Sequence, residues 1–258
     1  MKRIITTVIA LMLMTTAMAQ KTICVSTEKT DLVMQVAPNG RLYQTYLGTP
    51  LTDKSEYDRL PWNVYAASDG SVCTRGHEVY ATSGNEEFFE PAFAMTHADG
   101  NMTTYLYYKS HEQKSIEGGT ETIIRLADNK YPVDVVLHYV AYEKENVIKA
   151  WSTITHREKL WRYASTMLYL KANDFYLTSF HSDWAREGQP FSEKLNPGKK
   201  VIDSKLGSRA AEMTEPFFQL GIGEEAMEDM GQVMLGTVGW TGNFQFTFEI
   251  DNVGALRI

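Results

Sequence analysis

Apolar and polar residues alternate along this chain in short runs, and the period is two nearly throughout, as expected of strands whose successive side chains point to opposite faces. Leu32-Val33-Met34-Gln35-Val36 leads through Pro38-Asn39-Gly40 into Leu42-Tyr43-Gln44-Thr45-Tyr46-Leu47. The pair predicts a hairpin with Gly40 supplying a positive φ at low cost. The same pattern predicts strands over 92–97 and 103–110 around the turn Ala98-Asp99-Gly100, then over 121–126 and 133–142. The turn Glu143-Lys144-Glu145-Asn146 leads into a strand over 147–156, and further strands are expected over 164–171, 175–181, 213–220, 232–239 and 244–251. Within 103–110, Tyr105, Tyr107 and Lys109 fall on one side and Leu106 and Tyr108 on the other. Only residues 223–230, rich in Glu, compete with this reading, as one helical turn or an acidic loop.

Many strands joined by short turns, without alternating helices, predict an all-β protein: a large antiparallel β-sandwich (supersandwich) rather than an α/β fold. Residues 49–84, which hold Asp53, Asp58 and Asp69, form the longest irregular stretch. Long loops on rigid sandwiches often carry binding.

The N-terminus reads differently. Lys2 and Arg3 precede a mostly apolar run over 4–14, and Ala17-Met18-Ala19 supplies the small residues of a cleavage site. Residues 1–19 are expected to be a secretory signal peptide, leaving 20–258 as one β-sandwich domain, secreted or periplasmic. The apolar run falls short of the roughly 20 residues that span a bilayer, so no membrane span is expected. A lipid anchor would need a Cys directly after the cleavage site, whereas Cys24 is preceded by Gln20-Lys21-Thr22-Ile23. Cys24 and Cys73 are the only cysteines, and in an oxidising compartment they either pair or stay as two small hydrophobes.

The formal net charge is −7 with no long basic run, which excludes the electrostatic footprint of a nucleic-acid partner. The 14 Tyr, 11 Phe and 5 Trp suit strands and also suit stacking on sugars. His77, His97, His111, His138, His156 and His181 are scattered, and neither metal-ligand spacings nor a nucleophile elbow nor a phosphate loop occurs. No metal, cofactor or catalytic residue is therefore expected. A glycoside hydrolase needs two carboxylates across the scissile bond. Glu86, Glu87 and Glu90, and Glu224, Glu225, Glu228 and Asp229, lie too close in sequence to be such a pair and read as solvated loop faces.

A set of segments in collinear order then carries a resemblance. These are Leu32-Val33-Met34-Gln35-Val36 with Asn39-Gly40 and Tyr46-Leu47-Gly48, then Phe88 with Glu90-Pro91-Ala92-Phe93, and Ala141-Tyr142-Glu143-Lys144-Glu145-Asn146-Val147-Ile148. Trp184-Ala185-Arg186-Glu187, Leu206-Gly207-Ser208-Arg209, Glu215-Pro216-Phe217 and Gly239-Trp240-Thr241-Gly242-Asn243-Phe244 follow. From Lys21 onward the chain resembles the N-terminal β-sandwich of glycoside hydrolase family 36, the α-galactosidases that include raffinose- and melibiose-cleaving bacterial enzymes. It departs from the family at Glu86-Glu87-Phe88-Phe89, where Gly-Asp-Phe-Arg is usual, so the Arg role has no counterpart at Phe89.

The resemblance implies that both catalytic aspartates lie in a (β/α)8 barrel after the sandwich, and the sequence ends at Ile258 before any such pattern, with the sandwich itself expected to be incomplete. This segment alone is expected not to cleave a glycoside. The full-length form would hydrolyse terminal α-D-galactosyl residues of oligosaccharides, its galactoside-type substrate bound through the barrel, without a cofactor. In family members that assemble as homo-oligomers, a loop of one subunit reaches the pocket of another, and 49–84 is the equivalent stretch. Asp58 would accept sugar hydroxyls and Trp62 would stack on a pyranose face; read plainly, they are a solvated turn residue and a packing residue. Trp184 with Arg186 and Glu187 is either a surface pair or a ledge for another domain, while Trp240 and Phe244 are expected in the core. A free-standing secreted carbohydrate-binding sandwich is the rival expectation.

Overall fold

The computed structural model describes residues 21–62, 77–84, 90–157, 163–207, 214–251 and 253–258. The expected leader over 1–19, Asp69, Cys73 and Glu86 to Phe89 lie outside the described residues. All named strands pair antiparallel, as the alternating pattern predicts.

The chain begins with β1 (Lys21–Ser26), β2 (Asp31–Val36) and β3 (Leu42–Gly48), and β4 (His77–Glu78) completes a sheet in the order β1-β2-β3-β4. Gly40 turns the β2–β3 hairpin with φ +79°, the conformation its position requires. After the short β5 (Phe93–Ala94), a second sheet is a plain meander of β6 (Leu106–Ile116), β7 (Gly119–Asp128), β8 (Val133–Tyr142) and β9 (Val147–His156). β10 (Tyr163–Ala164) pairs with β5.

Between these two sheets lies one core. Ile23 and Val25 of β1, Leu32 and Met34 of β2, and Leu42 of β3 meet Ile124, Leu126, Val135 and Leu137 of β7 and β8, with Phe93 and Met95 fully enclosed. Each such side chain withdrawn from water contributes on the order of 1.5–3 kcal/mol, offset by the entropy of ordering the chain.

A second sandwich follows. Its sheets are β11 (Tyr169–Lys171), β18 (Ala255–Arg257), β17 (Phe244–Ile250) and β14 (Gly198–Ser204) on one side, and β13 (Gln189–Lys194), β12 (Phe175–His181), β15 (Thr214–Ile222) and β16 (Val233–Thr237) on the other. Its core is aromatic: Phe218 meets Phe246 and Phe248 edge to face, at 5.0 and 4.9 Å between centroids. The acidic stretch 223–230 is a loop without a helical turn.

Several contacts among the described residues tie the halves together, among them an ion pair of Glu90 with Lys199 at 2.5 Å. Leu47 packs against both cores. The buried Gln44 side chain acts as a piece of strand, donating from Nε2 to the Tyr169 carbonyl at 2.7 Å and accepting the Tyr169 N–H at 3.2 Å. The His77 ring lies 4.4 Å from that of Tyr169. Two further buried charges are paired where they sit: Arg41 grips Glu78 through both Nε and Nη2, and Arg257 donates to Glu249 at 2.8 Å.

Candidate functional site

β2 is buried on both faces, and this shapes everything around Asp58. Leu32 and Met34 point into the first core, whereas Asp31, Val33 and Gln35 point to the other side, each fully enclosed. Cross-strand partners share that outer face: Ser26 opposite Asp31, Cys24 and Tyr46 opposite Val33, and Tyr43 opposite Gln35. Thr49 to Trp62 cover it.

The cover is a 3₁₀-helix, η1 (Lys54–Arg59). Six residues do not hold such a helix by themselves, so its shape comes from its contacts. Asp53 caps it, and hydrogen bonds from the Ser55 hydroxyl and from the Ser55 N–H at 2.9 Å hold the exposed Asp53 carboxyl below the usual carboxylate range. Tyr57 is the buried residue of the helix, at 2% exposure. Its hydroxyl donates to Asp31 Oδ2 at 2.7 Å and accepts the Leu51 N–H at 2.9 Å, while its carbonyl accepts from the Gln35 amide. Burial, with the carboxylate beside it, pushes the phenol far above its ordinary range, so it remains a donor. Lys54 sets its ammonium 3.5 Å from the same Asp31 oxygen. The Tyr57 ring lies 5.4 Å from that of Tyr46.

Asp58 follows Tyr57 and is exposed; among the described residues no hydrogen bond or ion pair engages its carboxylate. Trp62 is half-buried, its ring 5.0 Å from Tyr43 and tilted by 43°. The structure thus brings both residues onto one short segment pinned to the first sheet, with a carboxylate in solvent and an indole backed by a second ring. Such a set can accept hydroxyl hydrogen bonds and offer an apolar ring surface, the two demands of a sugar.

Other candidates fare differently. Glu224, Glu225, Glu228 and Asp229 are all exposed, the solvated loop their spacing predicts. Among the described residues the two buried carboxylates are engaged structurally, Asp31 by Tyr57 and Lys54 and Glu78 by Arg41, and the half-buried Glu249 is held by Arg257. Trp184, at 92% exposure, stands in solvent beside Arg186 and Glu187, and no ion pair among the described residues joins those two. Phe244 is in the core as expected, but Trp240 is 65% exposed, its indole lying against Gly242 in the turn that follows rather than in the core. The half-buried Cys24 has its thiol pushed up by burial and lies 3.1 Å from Ser26 Oγ. The resemblance, through the stretch 49–84, together with residue type indicates Asp58 and Trp62. Tyr57, Asp31 and Gln35 were not marked out, although an acid and an amide inside the apolar run 31–36 are the signal that this strand's second face is covered.

Comparisons with known proteins point one way. The family model described as the glycosyl hydrolase family 36 N-terminal domain matches residues 40–258. Alpha-galactosidase AgaA of Geobacillus stearothermophilus is 26% identical over 256 residues, covering 89% of this chain and 35% of that protein. Alpha-galactosidase 2 of Hypocrea jecorina is 26% identical over 230 residues, covering 82% and 30% respectively. Among solved structures, the alpha-galactosidase of Lactobacillus brevis superposes with a TM-score of 0.81 at 24% identity, over 93% of this chain and 36% of that one. An AgaA variant in complex with raffinose gives a TM-score of 0.80 at 25% identity, over 92% and 36%. The chain therefore spans about a third of the length of these relatives.

Proposed function

Because the chain belongs to glycoside hydrolase family 36 as its N-terminal domain, we propose that it is the non-catalytic sandwich of an exported α-galactosidase whose full-length form releases terminal α-D-galactosyl residues from oligosaccharides. The observation that carries this reading is the family match over residues 40–258 on an all-β chain whose relatives are alpha-galactosidases. Bond cleavage by such enzymes needs two carboxylates facing each other across the sugar. Among the described residues the buried acids Asp31 and Glu78 are committed to Tyr57, Lys54 and Arg41, which supports a scaffold role for this segment.

In this reading Asp58 and Trp62 touch the substrate at the rim of the barrel's pocket, the barrel being that of the same subunit or of a second copy. The open Asp58 carboxylate accepts sugar hydroxyls, and the Trp62 indole, steadied by Tyr43, packs on a pyranose. Residues 1–19 direct export and are removed.

The test compares the 258-residue chain with its longer form on an aryl α-galactoside. Turnover is expected only from the longer form. Turnover by the 258-residue chain, abolished by changing one of its own carboxylates, would overturn the proposal.

A further inference from the structure

We propose that Tyr57 and Asp31 are positioning residues for substrate binding: together they latch the segment that carries Asp58 and Trp62 onto the first sheet. The inference rests on the reading of Asp58 and Trp62 as sugar contacts.

Two observations carry it. First, the latch converges on one atom. Asp31 is fully buried on a central strand, and its Oδ2 receives both the Tyr57 hydroxyl and, more distantly, the Lys54 ammonium, two groups of the same six-residue helix. Among the described residues Asp31 Oδ1 has no partner within hydrogen-bond geometry, and besides the neighbouring Cys24 thiol the groups that meet the carboxylate come from η1. A buried carboxylate is costly unless hydrogen-bonded, and a sandwich core built for stability alone gains nothing by placing one there. Second, the Tyr57 hydroxyl closes the segment at both ends. The oxygen that donates to Asp31 also accepts the N–H of Leu51, ahead of the cap, and the Tyr57 carbonyl takes the amide of Gln35. One side chain thereby fixes the chain before the helix, the helix itself and its height above the sheet.

Asp58 is the next residue, so its placement follows directly from that of Tyr57. Trp62 is fixed in turn by its ring contact with Tyr43, which stands opposite Gln35 on the same face. Binding groups held in advance of the ligand save the ordering cost that a loose loop incurs on binding. Loss of the latch should therefore raise KM and leave the bond-breaking step alone, since Tyr57 and Asp31 are buried beneath the segment and would act only through Asp58 and Trp62.

The experiment uses the full-length enzyme carrying Tyr57→Phe, which keeps the ring and removes only the hydroxyl, with Asp31→Asn as a second variant. The expected result is a KM for raffinose raised about tenfold with kcat within twofold, and faster hydrogen exchange at the Leu51 amide. Because Asp31 and the Leu51 N–H each lose a partner, the melting temperature is lowered but still lies above the assay temperature. Asp58→Asn and Trp62→Ala are measured alongside. If these two raise KM while Tyr57→Phe changes neither KM nor Leu51 exchange, the latch is overturned and the sugar contacts stand. If Asp58→Asn and Trp62→Ala leave KM unchanged, the reading of the contacts fails, and the inference fails with it. A fall in kcat at constant KM in Tyr57→Phe also overturns it.

Discussion

His77 illustrates how a single residue records its surroundings. It sits on the two-residue strand β4 at 9% exposure, against the Tyr169 ring, and burial lowers its pKa to about 4. Asp251 acts in the opposite direction, while Lys171 and Arg257 add to the lowering. An unfolded His titrates near 6.5, so between that value and about 4 the unfolded chain binds the extra proton and the folded chain does not. The contribution of His77 is thus complete above pH 6.5 and is lost as pH falls through this window, by up to about 3 kcal/mol. Urea midpoints at pH 7.5 and pH 4.5 should differ less in His77→Gln than in the unaltered chain. Equal pH dependence in both would show that the ring is not what the acid limb reports.

At the scale of elements, the strands β8, β9 and β12 are where alternation places them, over 133–142, 147–156 and 175–181. These are strands with one face in a core, the situation in which a period of two is imposed by burial. Strands whose buried face carries few apolar residues are not legible, β14 among them with only Ile202 reaching the core. β13 contains Pro190 and is exposed along almost its whole length as a sheet edge, and β14 carries Lys199, Lys200 and Asp203 between its few apolar positions. The site was legible to the same degree. Asp58 and Trp62 could be picked out by resemblance and residue type, but Tyr57 meets Asp31 across 26 residues, and no local spacing announces that contact.

Register also explains one glycine that has an ordinary φ. Gly119 opens β7 opposite Tyr142 of β8, and a Cβ there would lie 1.9 Å from the Ala141 carbonyl oxygen. Backbone cannot yield as a flexible side chain does. Gly119→Ala should therefore cost roughly 1–3 kcal/mol by prising the two strands apart, as an overpacked site does. A shift in urea midpoint at constant slope would check it, and a neutral effect would mean that the strand ends are not as closely paired as described.

For the molecule as a whole, the question is whether two sandwiches with two cores behave as one cooperative body. Among the features that join them are Leu47, the Gln44 bridge to Tyr169, the His77–Tyr169 ring contact and the Glu90–Lys199 ion pair. Gln44→Leu keeps the volume and removes both hydrogen bonds to the Tyr169 backbone, costing about 1–3 kcal/mol. The expected outcome is a calorimetric transition that splits into two, one for each core. A single transition at the original midpoint would show that the bridge does not couple them.

β2 has its own long-term consequence. A strand roofed on one side by η1 and packed on the other has no solvent-facing position between Asp31 and Gln35. Neutral drift works through sites where most exchanges go unnoticed, and here each exchange is judged twice, once by the oily interior and once by the polar roof. As such chains diverge, codons 31–35 should change last, and when they do change, the residues of the roof should change with them.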